Sequence, residues 1–433
     1  MKSIFIKTKF LLVFTLLIGI NFAQNNFKLG KYVSEALRVS PELKMLNSKL
    51  LVSKSKVAQV SNLPDPVLKF GVNNLPVASF AFDEEAMTGK VIGLSQAIPF
   101  PGKLSQAGNI KTIDVEIVEE EIADKKNRIK NEFSQAYYEL IYLRSAIEYS
   151  NENLKLLESI SKVVRSKYSV SKASQQNVIK VDEEITSLRT KIEFLRGKEN
   201  AVIAVLNSFL LADSKSKIET GKISMIPNFN FTITELIKIS ENNRPFLKGI
   251  KKAKEKSKEL KKLFEYDYYP NFAFSVQYTQ RGNFAKTNSN LNDFLSGFIS
   301  LSIPLNYGGK VTAKVNEAEY KYDLYSNQYN ASLQFLMKAF GKSVSKILEL
   351  KEREKLIEQG LLKQAKQSLN AALAAYQVNE IDFYNVIAAE NRLLNVQIEL
   401  AKIRTDYYKE ISLLEFLTGS SLKRNQNKYN GEK

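Results

Sequence analysis

Hydrophobic side chains recur with a seven-residue period in two separate segments of the chain. One segment begins at Val178 and the other at Val386, and in each a companion position follows three residues later. Such heptads, with alternating spacings of three and four residues, are typical of helices that pack seam against seam in a coiled coil. The positions are Val178, Ile185, Ile192, Glu199 and Leu206 with Val181, Leu188, Leu195, Val202 and Phe209, and then Val386, Leu393, Leu400, Tyr407 and Leu414 with Ala389, Val396, Ile403, Glu410 and Leu417.

The stretches that precede these heptads predict very long helices. No proline interrupts the chain from Ser105 to Tyr168, and the stretch from Val311 to Tyr376 is of similar size. At a rise of ~1.5 Å per residue, the first stretch would extend to ~95 Å. Such helices are too long for a compact domain and favour a structure that crosses a cellular compartment.

Four shorter segments alternate apolar residues with small or polar ones, which predicts β-strands. They lie near residues 67–76, 91–98, 271–280 and 297–304. A barrel wall around water requires this alternation, and a half-buried sheet of a soluble protein shows it too. The clearest example is the third segment, where one side carries Phe272, Phe274, Val276 and Tyr278.

The two halves of the chain repeat each other. The motif at Pro41 recurs at Pro245 with an offset of 204 residues, and the motif at Tyr168 recurs at Tyr376 with an offset of 208. Matches of this kind keep their order while the offset drifts by only a few residues, so we infer a duplication. Each half reads as helix, two strands, long helix, tight turn and returning helix.

The repeat and the terminal segments divide the chain into five parts. Residues 1–23 are predicted to be a signal peptide, because Lys2, Lys7 and Lys9 precede an apolar stretch, 10–20, that is too short to span a bilayer comfortably. The first repeat covers residues 24–212, and the second covers 245–419. A linker or equatorial region, 213–244, lies between them, and a polar tail, 420–433, follows.

The amino-acid composition excludes several common kinds of catalytic site. The chain has 0 Cys and 0 His, so thiol nucleophiles, hydrolytic triads and zinc sites are excluded. We therefore expect no enzyme activity, no catalytic residue, no cofactor and no metal site. The net charge of +17 could suit nucleic acid, but an exported chain rarely meets it. We assign the charge to anionic lipid or to solvated helices, and expect no nucleic-acid partner.

The number of predicted strands implies an oligomer if the sheet lies in a membrane. Beyond the predicted signal, no apolar run has the length of a transmembrane helix, and mean hydropathy is −0.24. Four strands cannot close a membrane barrel, and open edges in lipid would cost several kcal/mol per unsatisfied backbone group. Several chains must then share one wall, and this argument leaves dimer, trimer and tetramer open.

Short motifs at the strand ends resemble those of the TolC-like outer membrane efflux protein family. They are Pro64-Asp65-Pro66, Ile98-Pro99-Phe100-Pro101-Gly102-Lys103 and the stretch from Ile303 to Lys310. The resemblance implies an α+β membrane protein with a duplicated helix-strand-strand-helix unit. It also implies a trimeric 12-stranded β-barrel continuous with a long α-helical coiled-coil tunnel. The Pro-Phe-Pro-Gly-Lys stretch and the loop at 75–87 are similar to the metal-ion efflux branch of the family.

Family membership also implies a location and partners. The barrel would lie in the outer membrane of a Gram-negative bacterium, with the helical tunnel in the periplasm. The expected partners are two further copies of the chain in a homotrimer, a periplasmic adaptor protein, an inner-membrane efflux pump and outer-membrane lipid.

Prolines and glycines mark the predicted junction between barrel and tunnel. Proline cannot donate to a sheet ladder and is tolerated at strand ends, while glycine permits the φ values that a sharp bend needs. The junction residues are Pro66, Pro99, Gly102, Pro270, Pro304, Gly308 and Gly309.

The turns between long and returning helices would form the tunnel entrance and the adaptor-docking tips. Asn379 tolerates a left-handed turn, whereas Ser171 is a poorer substitute for the glycine common in the family. Ser174 and Asp382 are each expected to cap the returning helix that follows them. The other interpretation of Asp382 is an acidic ring at the tunnel gate, formed with Glu380 and the symmetry copies of both residues. The basic groups available to pair with the carboxylates of Glu380 and Asp382 are Lys167 and Lys172. The full set of tip residues is Lys167, Tyr168, Ser171, Lys172, Tyr376, Asn379, Glu380 and Asp382.

Three functions remain open from the sequence. The favoured one is an outer-membrane channel subunit that serves as the passive exit duct of a tripartite efflux system for small molecules or metal ions. The second is an outer-membrane duct for protein secretion. The third is a periplasmic coiled-coil scaffold, which should lack the paired alternating strands.

Overall fold

The computed structural model describes residues 28–223 and 225–422. The predicted signal peptide and all of the predicted polar tail beyond residue 422 lie outside the described residues. Two compact units are present. The helical unit takes its described residues from Met1–Met45, Ile122–Pro245 and Leu333–Lys433, and the sheet unit comprises Leu46–Glu121 and Phe246–Ser332. Each unit therefore contains residues of both predicted repeats.

Helices account for most of the described chain. Helix α3 alone runs over 67 residues, as the absence of proline predicted. A π-helical turn, Ile357–Leu361, joins α7 to α8. Within the described segments, no helix is both long and apolar enough to span a bilayer. The helices are α1 (residues 28–39), α2 (Pro41–Ser61), α3 (Lys103–Ser169), α4 (Gln175–Leu210), α5 (Ile233–Asn243), α6 (Pro245–Glu265), α7 (Lys310–Leu356), α8 (Leu362–Gln377) and α9 (Phe383–Thr418).

The predicted heptad seams form the core of the helical unit. Part of the predicted seam, including Val181, Leu188 and Val386, packs with α3 and α8 in one cluster of buried side chains. In α9 the cluster contains Leu394, whereas the predicted Leu393 is only half-buried. Each fully buried Val or Leu side chain contributes about 1.5–3 kcal/mol. Two polar seam positions have partners: Glu199 accepts from Arg144 Nε at 2.7 Å, and Glu410 accepts from Ser343 Oγ at 2.8 Å. Members of the cluster include Leu157, Val164, Val181, Leu188, Ile192, Tyr376, Phe383, Val386 and Leu394.

The region predicted as a linker contains a helix that the sequence analysis did not predict. Helix α5 begins after Thr232, whose hydroxyl accepts from the amide of Glu235 at 3.3 Å. The Glu235 carboxylate in turn accepts from the Thr232 amide at 2.8 Å. This reciprocal pair is a capping box, which satisfies two backbone donors at the start of the helix.

Four antiparallel strands form the sheet of the sheet unit. Their order is β1-β2-β3-β6, so β1 and β6 are its edges within the described chain. A two-stranded hairpin, β4 and β5, lies in the connection between β3 and β6. The strands are β1 (Val67–Asn73), β2 (Gly89–Ile98), β3 (Asn271–Arg281), β4 (Asn283–Phe284), β5 (Ser289–Asn290) and β6 (Phe294–Ser302).

Strand register places the apolar residues on one continuous face. Ile92 pairs with Phe70 on one side and with Tyr278 on the other, and Tyr278 pairs with Leu295. Phe70 is 73% exposed and Leu295 is 75% exposed, so the described chain leaves this face uncovered. The opposite face carries mainly small and polar residues, such as Lys69, Gly93, Gln277 and Ser296 in one row.

Candidate functional site

The first helix tip, between α3 and α4, closes with a left-handed residue. Ser171 has φ +59° and donates its amide to the Tyr168 carbonyl at 3.0 Å. The Lys172 amide donates to the Lys167 carbonyl at 2.8 Å. These two bonds are the Schellman pattern, which satisfies carbonyls that a helix end otherwise leaves unpaired.

The second tip, between α8 and α9, has the same geometry. Asn379 has φ +62° and donates to the Tyr376 carbonyl at 3.2 Å, while the Glu380 amide donates to Ala375 at 2.9 Å. All four positions lie 208 residues after their counterparts in the first tip. Serine and asparagine thus occupy the two left-handed positions.

The returning helices begin differently at the two tips. The Ser174 hydroxyl accepts from the Asn177 amide at 3.3 Å and caps α4, as predicted. Asp382 occupies the corresponding position before α9, but its side chain makes no capping hydrogen bond. The capping role predicted for this carboxylate is therefore wrong in this conformation, and the Asp382 side chain is exposed.

Lys167 reaches from the first tip to the second. Its Nζ donates to the carbonyls of Tyr376 at 2.5 Å and Gln377 at 3.1 Å, and to Asn379 Oδ1 at 2.7 Å. The ammonium also lies 4.4 Å from the centre of the Tyr376 ring. A cation here satisfies the negative end of α8. Among the described residues of this single chain, neither Lys167 nor Lys172 forms an ion pair with Glu380 or Asp382, so pairing between tips of different subunits stays a prediction.

A second contact, which the sequence pattern did not reveal, holds the first tip together. Arg165 Nη2 donates to both carboxylate oxygens of Asp182, at 2.8 and 2.6 Å, and joins α3 to α4. The residues are 17 positions apart on different helices, so only the folded hairpin brings them together.

Apolar side chains remain exposed at both tips. Val170 and Val378 occupy equivalent places and are 61% and 64% exposed. Tyr168 is also exposed, whereas Tyr376 is buried against Phe383, with ring centres 5.4 Å apart. Burial raises the pKa of the Tyr376 hydroxyl. The two tyrosines of the repeat therefore have different environments.

The predicted junction residues lie at the ends of the four long strands. Pro66 and Pro270 come directly before β1 and β3, and Pro99 directly follows β2. Pro304 follows β6 after one intervening residue. The glycines that precede α3 and α7 have left-handed backbones, as the bend requires: Gly102 (φ +89°), Gly308 (φ +64°) and Gly309 (φ +71°).

An ionic cluster that the sequence did not reveal lies at the same junction. The Asp267 carboxylate binds Lys103 Nζ at 2.5 Å and Lys314 Nζ at 2.6 Å. Partial burial alone would raise the pKa of Asp267, but the hydrogen bonds from both ammonium groups lower it below its ordinary value. The cluster thus holds one carboxylate and two cations.

Among the described residues, no group of three or more His, Cys, Asp or Glu side chains is placed to hold a metal ion. What the geometry provides is two exposed helix tips and a sheet with one uncovered apolar face.

Comparison with solved structures defines the fold. The outer membrane protein VceC of Vibrio cholerae is similar over 91% of this chain and 96% of its own, with TM-score 0.76 and 18% identity. The CmeC outer membrane channel of Campylobacter jejuni is similar over 93% of this chain and 89% of its own, with TM-score 0.73 and 15% identity. The chain therefore has the fold of outer membrane channel proteins.

Sequence comparison finds partial matches to outer membrane efflux and export proteins. A family model described as outer membrane efflux protein matches residues 236–420. The toxin and drug export protein A of Aggregatibacter actinomycetemcomitans is 23% identical over 207 residues, which are 47% of this chain and 45% of that protein. The chain thus matches less than half the length of this relative. The fold and the partial family match together confirm the resemblance to the TolC-like outer membrane efflux protein family that the strand-end motifs predicted. The similar solved structures are those of outer membrane channel proteins, not of enzymes.

Proposed function

We propose that this chain is a subunit of an outer-membrane channel, the passive exit duct of a tripartite efflux system. The observation that carries the proposal is the uncovered apolar face of the sheet, in a chain with the fold of outer membrane channels. Side chains such as Phe70 and Leu295 would contact lipid, and the opposite, mainly small and polar face would line water. An inner-membrane pump, reached through a periplasmic adaptor, would supply the driving force.

Closure of the sheet requires further copies of the chain. β1 and β6 are edges within one described chain, and unpaired strand edges are not tolerated in lipid. A homotrimer would join the β1 edge of one subunit to the β6 edge of the next and give a closed, 12-stranded wall. The long helices of the three copies would continue as the periplasmic tunnel.

Mass measurement of the detergent-purified protein tests this assembly. We expect about three chains per particle, because three sets of four strands would form the 12-stranded wall that the family resemblance implies. Subtracting bound detergent by light scattering, or removing it in native mass spectrometry, gives the protein mass. A stable, folded monomer would rule out the channel.

The two helix tips are proposed as the tunnel entrance and the adaptor-docking surface. Exposed apolar residues at equivalent places, Val170 and Val378, support this role, because solvent-exposed valines at both tips can pack against a partner. Glu380 and Asp382 would be brought close to their copies by trimer symmetry, where like charges repel. Unchanged single-channel conductance in both Glu380→Gln and Asp382→Asn would contradict an acidic gate.

Protein export is the second candidate function. It is favoured by the name of the relative from Aggregatibacter actinomycetemcomitans, which includes both toxin and drug export. A deletion strain separates the two functions: growth loss with drugs or metal ions, restored by the gene, supports small-molecule efflux. Loss of secreted protein with unchanged resistance supports the second candidate.

A further inference from the structure

An open cleft lies in the sheet unit where strands give way to helices. It has a volume of about 570 Å³ and is bounded by the end of β2, the start of β3 and the adjoining parts of α3, α6 and α7. Most of its wall is apolar, and its charged groups are Lys103, Asp267 and Lys314. The apolar wall includes Pro99, Leu104, Leu263, Phe264 and Phe272.

The charged groups leave the cleft with an excess positive charge. Asp267 neutralises one of the two lysines, so the three groups together carry one net positive charge. The side chains of Lys103 and Lys314 are 24% and 39% exposed and remain accessible. Each ammonium has three donor hydrogens, so each has capacity beyond its hydrogen bond to the shared carboxylate.

The cleft meets the end of the sheet, where Phe272 belongs to the apolar face and Ala97 and Asn271 belong to the opposite face. Phe272, which lines the cleft, pairs in the sheet with Ile98 and Leu301, the last large apolar residues at this end of their strands. Phe100 follows β2 and stacks on Tyr269 with ring centres 4.6 Å apart. Aromatic rings collect where the apolar band of a membrane protein meets water. Charge and aromatic residues therefore coincide at one end of the apolar face.

We infer that this cleft binds a phospholipid, with Lys103 and Lys314 holding its anionic phosphate group. The inference rests on the proposed function, which places the apolar face in the membrane. A phosphate accepts hydrogen bonds from both ammonium groups, and an acyl chain lies along Phe264 and Phe272 toward the sheet. A basic pocket beside an apolar wall suits an amphiphile with a negative head group better than a soluble anion.

Native mass spectrometry of the delipidated, detergent-purified protein tests the site with three probes. Phosphatidylglycerol is the whole lipid, inorganic phosphate represents only its anionic group, and diacylglycerol represents only its acyl chains. We expect phosphatidylglycerol to bind at one molecule per chain. Inorganic phosphate and diacylglycerol should each bind roughly tenfold more weakly or not at all, because the first lacks the acyl chains and the second lacks the phosphate.

A triple variant tests the residues. Lys103→Gln, Asp267→Asn and Lys314→Gln together remove the net charge and leave no buried ion unpaired. We expect phosphatidylglycerol affinity to fall roughly tenfold or more, since charge-assisted hydrogen bonds are lost. The matched control is Lys261→Gln, which removes one positive charge from α6 outside the cleft and should retain binding.

Failure of the proposed lipid site and failure of the proposed channel function give different results. Equal phosphatidylglycerol binding by the triple variant, or equal binding of inorganic phosphate, would overturn the lipid site while leaving a trimer intact. Absence of lipid binding, with Lys103 and Lys314 protected from amine labelling in the trimer, would show that another copy of the chain covers the cleft. A monomeric particle would instead contradict the proposed function.

Discussion

Glu390 in α9 is a carboxyl group enclosed by the coiled-coil core. It is 1% exposed, and neither of its oxygens has a hydrogen-bond partner in the described part of the chain. The pKa of Glu390 is raised to about 8, chiefly by burial and also by the nearby Glu184, while Lys191 opposes the change. A neutral carboxylic acid is far less costly to bury than a carboxylate, so this group keeps its proton at neutral pH.

Stability should therefore depend on pH through Glu390. In the unfolded chain the carboxyl loses its proton above about 4.5, whereas in the folded chain it holds the proton until about 8. Wild-type stability should fall as pH rises through this window and level off above it, by up to about 5 kcal/mol. Glu390→Gln should lack this pH-dependent loss of stability. The difference between its melting temperature and that of wild type should therefore shift in favour of the variant as pH rises from 4.5 to 8.

The control for this titration is Glu193→Gln, which neutralises an exposed carboxylate on α4 that pairs with Arg196. It should follow the wild-type melting curve at every pH. Parallel pH profiles for wild type and Glu390→Gln would show that Glu390 does not titrate in the core.

Lys167 shows why the tip contacts could not be read from the sequence. The pattern placed Lys167 and the acidic residues at turns, and simple charge pairing suggested ion pairs between them. The folded hairpins instead place the ammonium at the carboxyl end of α8, where three oxygens accept its hydrogens. The left-handed positions were easier to find, because Asn379 and Ser171 stand where a glycine would fit.

At the scale of elements, the two returning helices end with the same turn but different residues. Leu211 ends α4 with φ +51°, and Gly419 ends α9 with φ +69°, 208 residues later. A left-handed backbone strains leucine and suits glycine. A Cβ at position 419 would also lie 2.7 Å from the Asn243 carbonyl oxygen and 2.7 Å from Arg244 Cα.

Substitutions at these two positions should have opposite effects. Leu211→Gly should raise the free energy of unfolding by roughly 0.5–1 kcal/mol as strain is relieved. Gly419→Ala should lower it by about 2 kcal/mol or more, because backbone atoms must move. Ser208→Gly, inside α4, is the control and should destabilise. Urea unfolding measures all three, and a destabilised Leu211→Gly would contradict the strain argument.

The heptad seam makes a second prediction at this scale. Leu188 is 6% exposed in the core cluster, so Leu188→Asp buries an unpaired charge and should cost roughly 3 kcal/mol or more. Thr190→Asp places the same residue on the exposed side of the same helix and should cost far less. Equal melting temperatures for the two variants would mean that Leu188 does not pack in the seam.

Most elements followed from periodicity, and the exceptions have physical causes. Heptads located α4 and α9, and alternation located the strands, because both periods reflect which side chains are buried. Helix α5 was missed although Thr232 and Glu235 form a recognisable capping signature. The π-helical turn near Glu358 had no such signal. It lies where the half-buried Arg404 contacts Glu354 at 2.6 Å and Glu358 at 2.7 Å, and this cluster forms only in the packed helices.

At the scale of the whole molecule, the duplicated chain folds into two compact units that each draw on both repeats. The sheet takes β1 and β2 from the first repeat and β3 and β6 from the second. The helical core likewise combines α3 and α4 with α8 and α9. Neither repeat alone would complete the sheet or the core, so we expect an isolated repeat not to fold.

Conductance across a planar lipid bilayer tests the channel most directly. Purified wild-type protein should insert and produce discrete conductance steps of uniform size, because a closed assembly has one fixed water-filled path. Leu188→Asp, which should not assemble, serves as the negative control. Uniform steps from wild type and none from the control are the predicted result. A silent bilayer in the presence of correctly folded, inserted wild-type trimers would contradict the proposal that this protein is a channel.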